Sequence, residues 1–166
     1  MSAASTFVRL KPLPAVSLHE VVGSAPGFGP ENISPVIGPL YDQLIPALER
    51  AGIPLRDPST IYYTGEGSDM ESESGSVAVH VGFPAAPGDP AGDFAEVTLE
   101  AVPLAATIVR HGVMSRIGES WMALNEWIEQ NGYRYAGACR EVYLVSEPLS
   151  QEEWVTELQW PVARAN

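Results

Sequence analysis

Residues 36–63 and 116–143 align without a gap, 80 positions apart, and this internal match constrains the fold more than any other feature. Ile37 falls on Ile117, Gly38 on Gly118, Tyr41 on Trp121, Leu44 on Leu124, Glu49 on Glu129, Gly52 on Gly132 and Tyr63 on Tyr143. The spacing is that of one helix face, its glycine stop and the strand that follows. A match of this length reads as one structural unit used twice. Two such units are expected to pack about a pseudo-two-fold axis, with a central cleft at their seam.

The elements around the match repeat in the same order. Thr6–Lys11 and Ala15–Val22 read as short strands turned by Pro12 and Pro14, and 23–32 (GSAPGFGPEN) reads as loop. Ser34 reads as an N-cap with Pro35 at the first helical position, followed by Ile37, Leu40, Leu44 and Leu48 at helical spacing up to Gly52. Pro46 is expected to kink or shorten that helix. Strands are expected at Ser59–Gly65 and Val77–Phe83, with the acidic 66–76 (EGSDMESESGS) as a mobile turn between them. Phe94–Ala101 and Leu104–His111 then read as strands, Ser115–Asn131 as a helix, and Cys139–Ser146 and Trp154–Val162 as strands. The expected fold class is therefore α+β, with duplicated β-β-α-β-β units forming one antiparallel sheet and two helices. A single domain, 1–166, divides into halves at 5–84 and 93–163, with 85–92 as linker. Ser17 set against Thr107 is an offset of 90, so the first half carries about ten extra residues before its helix. These are the Gly/Pro loop, read either as a lid over the seam or as an inert surface loop.

Composition narrows the function. At 45% apolar and 18% charged residues, the chain suits a folded globular protein rather than a disordered one. The net charge of −12 repels phosphate backbones, which argues against direct nucleic-acid binding. Cys139 is the only cysteine, so no intrachain disulfide and no cysteine-based zinc site is available, and no neighbour marks it as a nucleophile. His19, His80 and His111 do not lie at metal-ligand spacing, so no metal and no cofactor is expected. No leader and no membrane-spanning run is evident, and the cytoplasm is the default location. Gly23, Gly27 and Gly29 do not form a phosphate loop, and neither a GxSxG elbow nor a CxxC pair occurs.

What remains is a set of lone polar residues inside apolar strands. Alternation puts Cys139, Glu141, Tyr143 and Val145 on one strand face, and Val155, Glu157 and Gln159 on one face of the last strand. Val142 and Leu144, with Thr156, Leu158 and Trp160, take the opposite faces. A carboxylate in such a strand costs several kcal/mol if buried without partners. Glu141 pairs with Arg140 or Arg134, faces water, or serves a function, and the residues alone leave all three open. Glu141 and Glu157 on neighbouring strands beside Tyr143 and Tyr63 suggest a wall of charge and π-faces suited to a flat lipophilic cation. His80 corresponds to Glu157 in the repeat and reads as a hydrogen-bonded histidine or a ligand contact. Trp121 and Tyr41 read as core, or as the bulky residues that face the seam.

The stretch 131–162, NGYRYAGACREVYLVSEPLSQEEWVTELQWPV, resembles the C-terminal half of the GyrI-like small-molecule-binding domain. The matching features are Gly132-Tyr133, the E-x-Y strand Glu141-Val142-Tyr143, and the T-E-x-x-x-P-V strand from Thr156-Glu157 to Pro161-Val162. The resemblance implies a duplicated core with a cleft that holds hydrophobic cations against glutamates, as in effector domains of multidrug-responsive regulators. It implies ligand-binding roles for Glu141, Tyr143, Glu157, Gln159 and, through the loop after the second strand, Phe28. Gln159 stands where the family often has an aromatic residue, which weakens an aromatic cage there. Strands begin within the first ten residues, so a stand-alone member is expected rather than a regulator with its own DNA-binding helices. Some stand-alone relatives hydrolyse cyclopropane-bearing compounds with a cleft glutamate, and Glu157 would be the catalytic residue in that case. Others resemble proteins that protect DNA gyrase.

The leading expectation is a binding module for lipophilic, cationic or aromatic small molecules, with Glu141, Glu157, Tyr63 and Tyr143 converging on one seam. The alternatives are a hydrolase and an acidic interaction module that titrates a nucleic-acid enzyme. Hydrophobicity would have the helices cover the Val142, Leu144, Leu158 and Trp160 face, whereas the resemblance puts the glutamates on the helix side. A second apolar face would need a homodimer or another protein partner, or a curled sheet, to cover it.

Overall fold

The computed structural model describes residues 7–65 and 76–165. Thr6 and nearly all of the expected acidic turn at 66–76 therefore lie outside the described residues. The fold class is α+β, with two α-helices and, among the described residues, nine strands in antiparallel pairings. In chain order the elements are β1 (Val8–Leu13), β2 (Val16–Ala25), α1 (Pro30–Arg50), β3 (Ser59–Gly65), β4 (Val77–Pro84) and β5 (Ala95–Leu99). They continue with β6 (Val102–His111), α2 (Ile117–Gln130), β7 (Tyr133–Tyr135), β8 (Arg140–Val145) and β9 (Val155–Arg164). No helix among the described residues is long and apolar enough to cross a membrane.

The chain forms two compact units. In the unit Val16–Leu99, the strands run β5-β2-β4-β3, and α1 packs on β2 and β4. Leu40, Leu44 and Leu48 supply the apolar stripe of α1, and Val21, Ile61, Val79 and Val81 form the buried strand positions. Tyr41 meets Phe83 edge to face at 5.9 Å and shares a 3.0 Å hydrogen bond with the Ser59 hydroxyl. Close approach explains Gly23, where an added Cβ would lie 3.1 Å from both Leu40 and Val36 of the helix.

The second unit joins β1 to the chain from Glu100 onward, with strand order β1-β6-β9-β8 and β7 paired to the far end of β9. Leu124 and Ile128 of α2 close a core with Ala106, Ile108, Leu158 and Val162, flanked by Trp121, Tyr135 and Trp160. The second unit takes its outer strand from the start of the chain, β1 pairing with β6, while in the first unit the outer strand β5 pairs with β2. The internal registers correspond. Val22, His80 and Tyr62 make one cross-strand row, and Val109, Glu157 and Val142 make the other. Val22 and Val109 are also alike in exposure, at 48% and 40%.

That register corrects the expected insertion. Val109 lies 87 positions after Val22, so against the helix offset of 80 the excess is seven residues rather than ten. Most of the expected Gly/Pro loop is regular structure. β2 runs to Ala25, and α1 begins at Pro30, leaving only four residues between them. Ser34 is not the cap. Gly29, at φ 110°, occupies that position, its carbonyl accepts the Asn32 and Ile33 amides, and the Asn32 side chain donates to the Phe28 carbonyl. Pro35, Pro39 and Pro46 all lie within α1, and Pro46 does not end it. The buried leucine stripe outweighs the backbone hydrogen bonds these prolines forgo. Gly52 and Gly132 are the expected helix stops, at φ 76° and 80°.

One polar cluster fixes the segment 85–92. The Asp89 carboxylate accepts two hydrogen bonds from Arg56 at 2.8 and 3.0 Å, one from the Ala86 amide at 2.9 Å, and shares a fourth of 2.8 Å with His19 Nε2. Arg56 above all, then the Ala86 amide and His19, hold the Asp89 carboxyl well below the usual carboxylate range. A depressed folded-state value stabilises the fold above the ordinary carboxylate pKa, and that stability is lost as pH falls through it. The urea midpoint of Asp89→Asn is therefore expected below that of the parent protein at neutral pH. The gap is expected to narrow once pH drops below about 4.

Candidate functional site

The β8–β9 register decides what the two glutamates can do. Glu141 stands opposite Leu158 and Tyr143 opposite Thr156, so Glu141, Tyr143 and Leu158 share the face that α2 covers. Glu157 stands opposite Val142 and Gln159 opposite Arg140, which puts Glu157 on the other face. The expected convergence of Glu141 and Glu157 on one wall is thus corrected. Glu141 and Tyr143 share a face as read, but a register shift after Tyr143 pairs Val145 with Val155 on the Glu157 side, and the two strands pair one position out of phase with a shared acidic face. The same register answers which face the helix takes. α2 covers Leu158 and Trp160 together with Glu141, while Val142 and Leu144 belong to the opposite side.

On the helix side, Glu141 is 4% exposed. Its Oε1 accepts from the Tyr143 hydroxyl at 2.6 Å, and its Oε2 accepts from Trp121 Nε1 at 3.0 Å. Helix spacing brings Trp121 here, one turn before Leu124, and its ring meets Trp160 edge to face at 5.5 Å. Tyr143 in turn meets the edge of Trp154 at 6.2 Å. The carboxylate is thus oriented by two neutral aromatic donors. Its charge acts on its surroundings. Burial pushes the Cys139 thiol up to about 12, and Glu141 adds to that rise. Arg110 is lowered by burial and partly restored by Glu141. The Arg110 guanidinium donates to Ser120 Oγ of α2 at 3.2 Å and to the Val113 carbonyl of the preceding turn at 2.9 Å. Cys139 is a buried free thiol whose raised pKa suits packing rather than nucleophilic chemistry.

Removing one donor tests this arrangement. Tyr143→Phe leaves the buried Glu141 short of one hydrogen bond and is expected to cost about 1–3 kcal/mol in urea denaturation. An unchanged midpoint would mean that the carboxylate finds water instead.

On the opposite face, Glu157 accepts from Lys11 Nζ at 2.8 Å and from Gln159 Nε2 at 2.7 Å. Lys11 arrives there because β1 pairs with β6, which pairs with β9. In the Val16–Leu99 unit, Tyr63 is buried and meets the half-exposed ring of Phe28 edge to face at 5.9 Å. His80 joins a separate network. Its Nδ1 lies 3.0 Å from Glu20 Oε2 and its Nε2 lies 2.8 Å from Thr64 Oγ1. The Tyr62 ring stacks on it at 4.1 Å and donates its hydroxyl to Glu20 Oε1 at 2.5 Å.

The structure therefore brings Glu141, Tyr143 and Trp121 together, joins Glu157 to Gln159, and joins Tyr63 to Phe28. Glu20, Thr64, Lys11 and Arg110 were not singled out from sequence. Glu20 carried the signal that exposed Glu141, a lone acid in an apolar strand. Lys11 carried none, because its partner lies 146 residues away. Among the described residues, no cluster of three His, Cys, Asp or Glu could hold a metal.

The chain belongs to the GyrI-like small molecule binding domain family, whose profile matches residues 4–163. Solved structures share the fold. The C-terminal domain of EcmrR is similar over 96% of this chain and 98% of its own, with 22% identity and a TM-score of 0.67. SAV2435 bound to tetraphenylphosphonium is similar over 95% of this chain and 94% of its own, with 13% identity and a TM-score of 0.67. A hydrolase encoded by lin2189 from Listeria innocua is similar over 96% and 93%, with 12% identity and a TM-score of 0.56. No curated protein matches the sequence.

Proposed function

We propose that this domain binds lipophilic aromatic cations, and that the α2 side of β8 is where the charge is recognised. The observation that carries this reading is the buried Glu141 carboxylate, held on both oxygens by the neutral donors Tyr143 and Trp121. These donors orient the carboxylate through both oxygens, so a cation bound beside it would meet a fixed negative group in a largely buried setting. The Trp121 and Tyr143 rings add π-faces to that field. Affinity would come mostly from burial of the ligand's rings, and selectivity for charge from Glu141. Family membership supports the general reading, and SAV2435 supplies the ligand class, since that protein is described bound to tetraphenylphosphonium.

Tyr63 and Phe28 form an aromatic pair within the Val16–Leu99 unit, and Gln159 donates to Glu157 on the face of β9 away from α2. Glu157 is the acid on which a hydrolase reading depends, and a substrate would have to displace Lys11 or Gln159 from it. The partner expected is a small molecule rather than nucleic acid, given the net charge of −12. Titration with tetraphenylphosphonium, followed by tryptophan emission and melting temperature, tests the reading. Saturable binding that raises the melting temperature is expected. Absence of saturable binding at any soluble concentration would overturn it.

A further inference from the structure

The network around His80 has an order that a merely solvated polar patch does not require. Glu20, Tyr62, Thr64 and His80 share one face of the β2-β4-β3 sheet, because Val22 and Tyr62 flank His80 in register while Glu20 lies two residues before Val22 and Thr64 two after Tyr62. An ionised Glu20 can only accept, so His80 Nδ1 carries the proton in the 3.0 Å contact with Glu20. Neutral His80 then has an acceptor at Nε2, and the Thr64 hydroxyl, 2.8 Å away, donates to it. The chain Thr64 Oγ1–His80 Nε2, His80 Nδ1–Glu20 Oε2 has the tautomer and the distances of a nucleophile, its base and an orienting acid.

Burial follows the same order. Glu20 is 4% exposed, the His80 side chain is 15% exposed, and Thr64 is half-buried at the end of β3. The acid is therefore more shielded than the imidazole and the threonine. Tyr62 contacts both His80 and Glu20, stacking on the imidazole at an interplanar angle of 11° and donating its hydroxyl to the Glu20 carboxylate. Beside Thr64 the facing position is Ala78, and beyond that Ser24, both with small side chains.

We propose that Thr64, His80 and Glu20 form a second site, separate from Glu141, that accepts an acyl group from small activated esters. The Thr64 oxygen adds to the ester carbonyl carbon as its proton passes to His80 Nε2. The bond from that carbon to the leaving oxygen then breaks, and the proton leaves with the alcohol. Water, giving a proton to the same nitrogen, cleaves the acyl-threonine, releases the carboxylic acid and restores the hydroxyl. Thr64 and His80 are the catalytic residues, and Glu20 and Tyr62 are positioning residues.

Incubation of the full chain with p-nitrophenyl acetate tests the proposal through phenolate release and peptide mass mapping. An acetyl group on Thr64 and catalysed release are expected. Thr64→Val should lower the rate at least about 10-fold, Thr64→Ser should retain or exceed it, and His80→Gln should lower it about 100-fold or more. Glu20→Gln should lower kcat with KM unchanged, because an amide can hold the wrong imidazole tautomer, which a purely structural role would not produce. Equal rates in Thr64→Val and the parent protein, or acetyl found only elsewhere, such as on Lys11, would overturn it. Thr64→Ser keeps the test decisive if Thr64→Val fails to fold. Acylation of Thr64 without tetraphenylphosphonium binding would count against the Glu141 reading alone.

Discussion

Leu158→Ala is expected to destabilise the protein by about 2–5 kcal/mol, the largest effect of any single truncation considered. Leu158 is fully buried at the centre of the cluster formed with Ala106, Ile108, Leu124, Ile128 and Val162. Its neighbours come from β6, α2 and β9, so the hole cannot be closed by moving one side chain. At this chain length, a loss near the middle of that range lowers the melting temperature by roughly 7–14 °C. Val109→Ala, on the opposite face and 40% exposed, provides the comparison and should stay within about 0.5 kcal/mol of the parent. The contrast checks the β6–β9 register itself, since a slip of one residue would set Val109 opposite Leu158 on one face and remove the difference.

The second large effect concerns charge selectivity. Glu141→Gln preserves shape, its carbonyl oxygen accepting from Trp121 Nε1 and its NH2 donating to the Tyr143 hydroxyl, but removes the negative charge. An interaction with a charged group in a buried setting contributes about 1.5–3 kcal/mol, or roughly 10–100-fold in affinity. The substitution is therefore expected to weaken tetraphenylphosphonium by that factor. Triphenylphosphine oxide, a neutral molecule with similar rings, should lose little. If both ligands weakened equally, Glu141 would be acting on the shape of the site rather than on the charge of the ligand. If neither changed, the charge recognised would lie elsewhere, with Glu157 the first alternative.

Local pattern carried much of the fold, and non-local pairing decided the site. The leucine stripe of α1, the stripe of α2 ending at Ile128, and the glycine stops at Gly52 and Gly132 were legible because each depends on residues within a few turns. β3 was legible to the residue, and β4 to within one. The start of α1 was misread because Pro35 looks like a first-turn residue, whereas a well-buried leucine face tolerates three prolines inside the helix. β7 was missed because three residues give no periodicity to read. The faces of Glu141 and Glu157 were each correct within their own strand, yet their relation depends on a pairing register that alternation alone does not fix. Lys11 and Glu20 were missed for the same reason, since their partners lie 146 and 42–60 residues away.

The most direct measurement is the position of a bound cation. Tetraphenylarsonium shares the shape and charge of the phosphonium, and its arsenic is an anomalous scatterer that can be located without interpreting the rest of the density. The account predicts an arsenic peak on the α2 side of β8, with a phenyl ring against Trp121 or Tyr143 and the Glu141 carboxylate among the nearest charges. A peak beside Lys11 and Glu157, on the opposite face of the same strands, would contradict it.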